Sequence, residues 1–171
     1  GDSEGIRGQW AALQASAPAT TSLAVSNFSP EQLDGLLANN PELRRRPVLN
    51  QLPWSVAYHP GDAGSYSCLE ENQRRGLQVQ AWAPLGGSLG GAAQRGLPRV
   101  RAACTEVGAR YHPPRSGAVV QLRWVVQSGA AFTTTSRKRA HLEEDLTEVF
   151  DFELTESDMA LLSSLAAPAA A

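Results

Sequence analysis

Four short stretches of this sequence carry side chains suited to holding a ligand. They are Ser26-Asn27, Asn50-Gln51, Trp82-Ala83-Pro84-Leu85-Gly86, and the run from Thr133 through Thr134, Thr135, Ser136, Arg137 and Lys138 to Arg139. Asn27 and Gln51 each present an amide, donor and acceptor together, which suits a carboxamide on a ligand. Trp82 offers a flat aromatic face for stacking. The Pro84-Leu85-Gly86 turn brings bare backbone N–H groups toward a ligand. The hydroxyls of Thr134, Thr135 and Ser136 precede a helix start and stand beside three basic residues. By dipole and by charge that is an anion site.

The elements that must position these groups are legible from pattern. Ser22–Val25 is a β-prone run. Ser29-Pro30-Glu31-Gln32 then reads as an N-cap, a proline at the first helical position and a capping box. The helix is expected to run to about Asn39, where Asn39-Asn40-Pro41 stops it. Val48–Leu52 reads as a buried strand, Ser65–Arg75 as a helix ended by Gly76, and Leu77–Trp82 as a third strand. Gly86–Gly96 is Gly-rich and is expected to be a loop over one end of the fold. Helices are expected over Pro98–Val107, Ser116–Gln127 and Lys138–Glu148, a fourth strand over Ala130–Thr134, and a last helix capped by Thr155. Strands alternating with helices predict a parallel sheet with helices outside.

Four such βα units plus a C-terminal helix are half of what a TIM-type barrel needs. In such barrels the ligand groups follow the strands, and a phosphate site commonly follows strands seven and eight. The four stretches above stand in those places. An aromatic platform, carboxamide partners and a phosphate clamp together point to a nicotinamide dinucleotide. Plainer readings stand beside this one. Asn27 could serve the helix start, Trp82 the barrel core, and the Arg137–Arg139 triplet a solvated helix start.

Composition narrows the class. A chain of 171 residues has room for one domain, residues 1–171, with a tail at 166–171 expected to be disordered. The net charge of −2 gives no general attraction to nucleic acid or an anionic membrane. No apolar run approaches the roughly 20 residues of a membrane span. Arg44-Arg45-Arg46 reads as a solvated loop. Cys68 and Cys104 are in no metal or redox spacing, so thiols in a cytoplasmic protein are expected, with no metal site. Trp10, Trp54 and Trp124 read as packing residues, and Tyr58 and His59 as structural. Gly1-Asp2-Ser3-Glu4 has neither signal pattern nor initiator Met, so the expectation is a chain that starts mid-protein, is processed, or is incomplete.

In order and spacing, SLAVSNFSPEQLDGLL, VLNQ, GLQVQAWAPLG, LRWVVQSGAAFTTTS, EEDL and VFDFELTESDMALL resemble the aldo-keto reductase family, from about Trp10 to Leu165. The resemblance implies an NADP-dependent oxidoreductase that reduces an aldehyde or ketone, with NAD possible in place of NADP. It implies Ser26, Asn27 and Gln51 on the nicotinamide carboxamide and Trp82 stacked on its ring. Pro84, Leu85 and Gly86 would lie in the turn along the pyrophosphate. Thr134, Thr135, Ser136 and Arg137 would form the phosphate clamp, with Ser136 on the adenosine 2′-phosphate, and Glu144 and Asp145 near the adenine.

The sequence departs from the family at three points. A phosphate-binding lysine is replaced within Thr134-Thr135-Ser136. An arginine that usually pairs the 2′-phosphate appears as His141. The stretch Leu52–Tyr58 is longer than the family's usual segment. The family's catalytic tyrosine, lysine, aspartate and histidine come from the N-terminal half of the barrel, and no segment here resembles their motifs. No catalytic residue is therefore assigned, and Tyr58, Tyr66 and Tyr111 are not given that role. Two unpaired parallel edges, near Ser22–Val25 and Ala130–Thr134, invite pairing. The expected partners are a carbonyl substrate and either a missing N-terminal half or a second copy. The alternatives are a non-catalytic nucleotide-binding module or regulatory subunit, and a truncated inactive fragment.

Overall fold

A computed structural model describes residues 3–59, 69–87 and 91–166 of the chain. Its elements are α1 (Ser3–Ser16), β1 (Ala24–Ser26), α2 (Pro30–Leu37), β2 (Leu49–Pro53), α3 (Leu69–Arg74), β3 (Gln78–Trp82), α4 (Gly91–Gly108), α5 (Gly117–Gln127), β4 (Ala131–Phe132), α6 (Arg139–Thr147) and α7 (Glu156–Ser163), with a 3-10 turn at Glu148–Phe150. The strands form one sheet in the order β1-β2-β3-β4. β1 pairs parallel with β2, Val25 opposite Asn50, and β3 pairs parallel with β4, Ala81 opposite Phe132. The chain divides into two compact units, Gly1–Leu52 with Gly61–Val79, and Pro53–Pro60 with Gln80–Ala171.

The first unit is built around Trp10, Leu23, Val25, Leu33, Leu36 and Leu77, all buried. α2 starts as its sequence dictates. The Ser29 hydroxyl accepts the Gln32 N–H at 3.2 Å, and Gln32 Oε1 accepts the Ser29 N–H at 2.9 Å. It ends at Leu37, two residues earlier than expected, because Ala38 is already extended. α1 was not expected from the sequence. Its weak apolar stripe is anchored by Trp10, whose indole N–H donates to Arg45 O at 2.9 Å. Arg7 adds bonds to Gly35 O and Ala38 O, at 2.7 and 2.8 Å, on carbonyls at the end of α2.

The Arg44–Arg46 loop is more than solvated charge, which corrects the plain reading. The Arg45 guanidinium donates to Ala17 O and Thr21 O, and Arg46 donates to Arg75 O. Arg75 in turn holds both carboxylate oxygens of Asp34 at 2.8 Å and Glu71 Oε2 at 2.7 Å, tying α2 to α3.

The second unit centres on α5, in which Val119, Val120, Leu122, Trp124 and Val125 are all but inaccessible. The Ser116 hydroxyl caps it by accepting the Val119 N–H at 3.2 Å. α7 is capped by Thr155, and buried Asp158 gathers Tyr111 Oη at 2.6 Å, Thr155 Oγ1 at 2.8 Å and Arg110 at 2.5 Å. Trp54 and Trp124 stack with ring centres 6.1 Å apart. His59 sits against Trp124, its ring nitrogens 2.9 Å from Ser55 O and 2.8 Å from Ser163 O.

Several boundaries differ from expectation. Gly91–Gly96 is helical, so the Gly-rich stretch is the start of α4, and residues 88–90 lie outside those described. The glycines there do not prevent a helix, because α4 buries Ala93, Leu97, Val100, Cys104 and Val107, and packing outweighs propensity. Two helices, α4 and α5, separate β3 from β4. β4 is only Ala131–Phe132, although the Thr133 N–H still donates to Ala81 O at 2.9 Å. The helix expected over Ser65–Arg75 is described from Leu69 to Arg74, and its first residues, like the tail beyond residue 166, lie outside the described residues.

Candidate functional site

In the first unit the structure brings Ser26, Asn27 and Gln51 together. Parallel pairing sets Ser26 opposite Gln51. The Ser26 hydroxyl donates to Gln51 O at 3.2 Å, the Asn27 backbone N–H donates to the same oxygen at 2.9 Å, and Asn27 Nδ2 donates to Ser26 Oγ at 3.0 Å. Asn27 has φ +58, in the left-handed region that asparagine tolerates better than most residues. That conformation turns the chain sharply from the end of β1 toward α2 and leaves Ser26 and Asn27 exposed.

Asn50, next to Gln51, does different work. It is wholly buried, donates to Phe28 O at 2.9 Å and to Asn72 Oδ1 at 2.8 Å, and so ties the β1–α2 turn to α3. Alternation along β2 explains the split, since successive side chains face opposite sides.

In the second unit Trp82 closes β3, partly exposed between the strand and the turn that follows. Its carbonyl accepts the Trp54 N–H at 3.5 Å, which joins the longer segment after β2 to this strand end. The turn itself corrects one expectation. Ala83 and Gly86 both have positive φ, +51 and +75, and the Gly86 N–H donates to Ala83 O at 2.8 Å. That amide is used inside the turn, and glycine is required by packing: a Cβ at Gly86 would run into Leu97 Cδ2 of α4 and lie 3.5 Å from Ala57 Cβ. Pro84 is buried and Leu85 half-buried.

Beyond β4, Thr134 and Ser136 are half-buried and Thr135 and Arg137 exposed. Ser136 Oγ accepts the Lys138 N–H at 3.1 Å and lies 3.5 Å from His141 Nδ1. α6 has no side-chain cap, unlike α2, α5 and α7. Its first-turn N–H groups, the Ser136 hydroxyl and the neighbouring cations form a donor set suited to a phosphate. Arg139 is already paired with Glu143 at 2.7 Å, whereas its neighbours Arg137 and Lys138 are in no ion pair among the described residues.

Glu144 and Asp145 are half-buried on α6. Burial, then the neighbouring Glu144 charge, pushes the Asp145 carboxyl above its ordinary range, against the pull of His141 one turn back. Glu144 Oε2 accepts from the Ser116 hydroxyl at 3.4 Å. Among the described residues no group of His, Cys, Asp and Glu could hold a metal ion, and no helix is long and apolar enough to cross a membrane.

The sequence pattern places Asn50 among the ligand stretches and Arg45 in a solvated loop, and it does not show Asp158 reaching beyond its helix cap. Each works through bonds to residues remote in sequence, which no local pattern announces.

Parallel strands interleaved with helices, with amide, aromatic and hydroxyl groups at the strand ends, define an α/β protein of the parallel-barrel class. Residues 19–167 match the aldo/keto reductase family, and the chain belongs to it. It is 32% identical over 170 residues to prostaglandin F synthase 1 of Bos taurus, covering 96% of this chain and 50% of that protein. It is 32% identical over 145 residues to an aldo-keto reductase of Mycobacterium sp. (strain KMS), covering 84% and 45%. Among solved structures, the aldose reductase from Schistosoma japonicum superimposes with a TM-score of 0.65 at 27% identity, over 85% of this chain and 41% of that one. The chain thus spans about half the length of the relatives it matches.

Proposed function

We propose that this chain is the cofactor-binding half of an NADPH-dependent oxidoreductase of aldo-keto reductase type, which reduces an aldehyde or ketone. It would supply the C-terminal four βα units of a TIM-type barrel. The observation that carries this reading is the Ser26–Asn27–Gln51 cluster. Its left-handed asparagine and paired strands set amide and hydroxyl groups beside one another at β1 and β2, which suits a carboxamide ligand.

Ser26, Asn27 and Gln51 would hold the nicotinamide carboxamide, and Trp82 would stack on the ring. Pro84 and Leu85, with the Gly86 turn, would lie along the pyrophosphate. Thr134, Thr135, Ser136, Arg137 and His141 would surround the adenosine phosphate, and Glu144 and Asp145 would accept from the adenine amine. Bound there, the nicotinamide supplies the hydride for carbonyl reduction. The residues of this chain bind and orient it. The proton donor and most of the substrate pocket would come from segments outside this sequence, either a preceding half or a second copy. Tyr111 is a poor donor, since its hydroxyl is spent on Asp158 and on the Thr155 N–H. A reducing compartment, the cytoplasm, suits the buried free thiol of Cys104.

The test is quenching of tryptophan fluorescence in the purified chain by NADPH, with NADH alongside. Micromolar binding of NADPH is expected, weaker by about tenfold for NADH if the phosphate contributes about 1.4 kcal/mol. Trp82→Ala should abolish it. A folded chain that binds neither nucleotide would overturn the reading.

A further inference from the structure

We propose that the outer face of α6 is a self-association surface, on which a second copy of this chain packs antiparallel about a twofold axis at Leu146. All the residues concerned lie in the second unit, and the inference stands apart from the cofactor reading.

The surface begins with a helix that buries none of its residues. α6 is nine residues long. A helix that short is marginal in water unless it has an apolar face to bury. α6 has such a face, but it is turned to solvent. Leu142, Leu146 and Phe150 recur every fourth residue, a spacing that sets them along one side, and they are 41%, 75% and 58% exposed. No other stretch of the described residues gathers three large apolar side chains open to water. Phe150 is held from behind by Phe132, which stacks on it with ring centres 6.5 Å apart and packs on the core of Val119, Leu122 and Val149. A fixed aromatic that stands out of a surface suits an interface anchor.

Charge says what covers the stripe. Arg137, Lys138 and Arg139 stand at its N-terminal end. From Ala140 to Asp158 there is no lysine or arginine, and Glu148, Asp151 and Glu153 stand at its C-terminal end. The two ends are of opposite sign with apolar residues between them. A second copy turned end for end matches both ends at once, as an isologous contact requires. The two helix dipoles then also run antiparallel.

The spacing agrees. Leu142 and Phe150 lie four residues to either side of Leu146, and Arg139 and Glu153 seven to either side. About a twofold axis at Leu146, Leu142 meets Phe150 of the second copy, Leu146 meets its counterpart, and Arg139 meets Glu153. The charged groups are open to these contacts. Arg137 and Lys138 are in no ion pair among the described residues, and Arg139, although paired with Glu143, is 91% exposed. Glu148 and Asp151 hold Arg115 at 3.6 Å, and Glu153 holds Arg123 at 3.5 Å, longer than a charge-assisted hydrogen bond.

The experiment is sedimentation equilibrium of the full 171-residue chain from low to high micromolar concentration. A monomer–dimer equilibrium is expected, with a Kd of about 10–100 μM for so small an interface. Leu146→Glu, an exposed change with circular dichroism to confirm the fold, should weaken it at least about a hundredfold. Arg139→Glu and Glu153→Arg should each weaken it about tenfold alone, because each sets like charges together at both ends. An equal mixture of those two variants should dimerise like the wild type. In the mixed pair one end carries the swapped charges and the other the native ones, so both attract. No role confined to a single chain predicts that rescue. A chain that stays monomeric at the highest concentration would leave the stripe to some other occupant and overturn the proposal. So would assembly beyond two copies, a dimer indifferent to Leu146→Glu, or a mixture no tighter than its separate variants.

Discussion

Replacing Gly86 by alanine separates two roles that the sequence alone confounds. A glycine in the turn after Trp82 could be there to let a ligand approach, or to let the chain fold. The structure gives two folding reasons. The residue has φ +75, and a Cβ would collide with Leu97, a side chain only 2% exposed and hemmed in by the core. The left-handed conformation costs a non-glycine residue roughly 1–2 kcal/mol, and overpacking a filled core costs about 1–3 kcal/mol more. Gly86→Ala should therefore destabilise the chain by about 2–5 kcal/mol. Urea titration followed by far-UV circular dichroism measures this directly. Adding Leu97→Val to Gly86→Ala should restore about 1 kcal/mol or more of the overlap cost, but none of the conformational cost. A Gly86→Ala chain that unfolds at the wild-type urea concentration would refute the argument. If such a chain also lost NADPH, the glycine would belong to the ligand instead.

Three further outcomes are expected. Arg75→Met should cost about 1–2 kcal/mol, because it removes charge-assisted bonds to buried Glu71, while the Asp34 arm is discounted because that carboxylate is over half exposed; a urea titration unchanged from wild type would show that the α2–α3 tie is idle. Burial pushes the Asp158 carboxyl up, but bonds from Tyr111 and Thr155 and the charge of Arg110 outweigh it and hold it below the ordinary range. The stability it contributes is therefore full above its unfolded value of about 4 and is lost as pH falls through the lower folded value. The stability gap between wild type and Asp158→Asn should accordingly shrink on acidification, and a gap that widened below pH about 4 would reverse the sign of the argument. Burial pushes the Cys104 thiol up to about 12, so in a Cys68→Ser background it should resist alkylation at pH 8 until the chain unfolds; rapid labelling of the native chain would show that the site is open.

The local signals in this chain were read with little loss. Ser29-Pro30-Glu31-Gln32, Ser116 and Thr155 start helices where they should, because a cap is a contract between residues three apart. The strands after which the candidate ligand groups fall were also legible, since apolar runs bounded by Pro and Gly need no distant partner to be recognised. Ser26, Asn27 and Gln51 could be named from spacing. That Ser26 and Asn27 meet on the Gln51 carbonyl follows only from the parallel register of β1 and β2.

Tertiary structure decided the rest. α1 exists because Trp10 finds a core made by β1, α2 and Leu77, although its own apolar pattern is faint. Gly91–Gly96 is helical because α4 has a face to bury, although its composition reads as a loop. Asn50 and Gln51 look equivalent in sequence, yet the pleat buries one and leaves the other half-exposed at the strand. The physical reason is the same each time. Capping, turns and periodicity are short-range and written in neighbouring residues. Burial, register and the fate of each polar group depend on partners tens of residues away, which only the folded chain brings into contact.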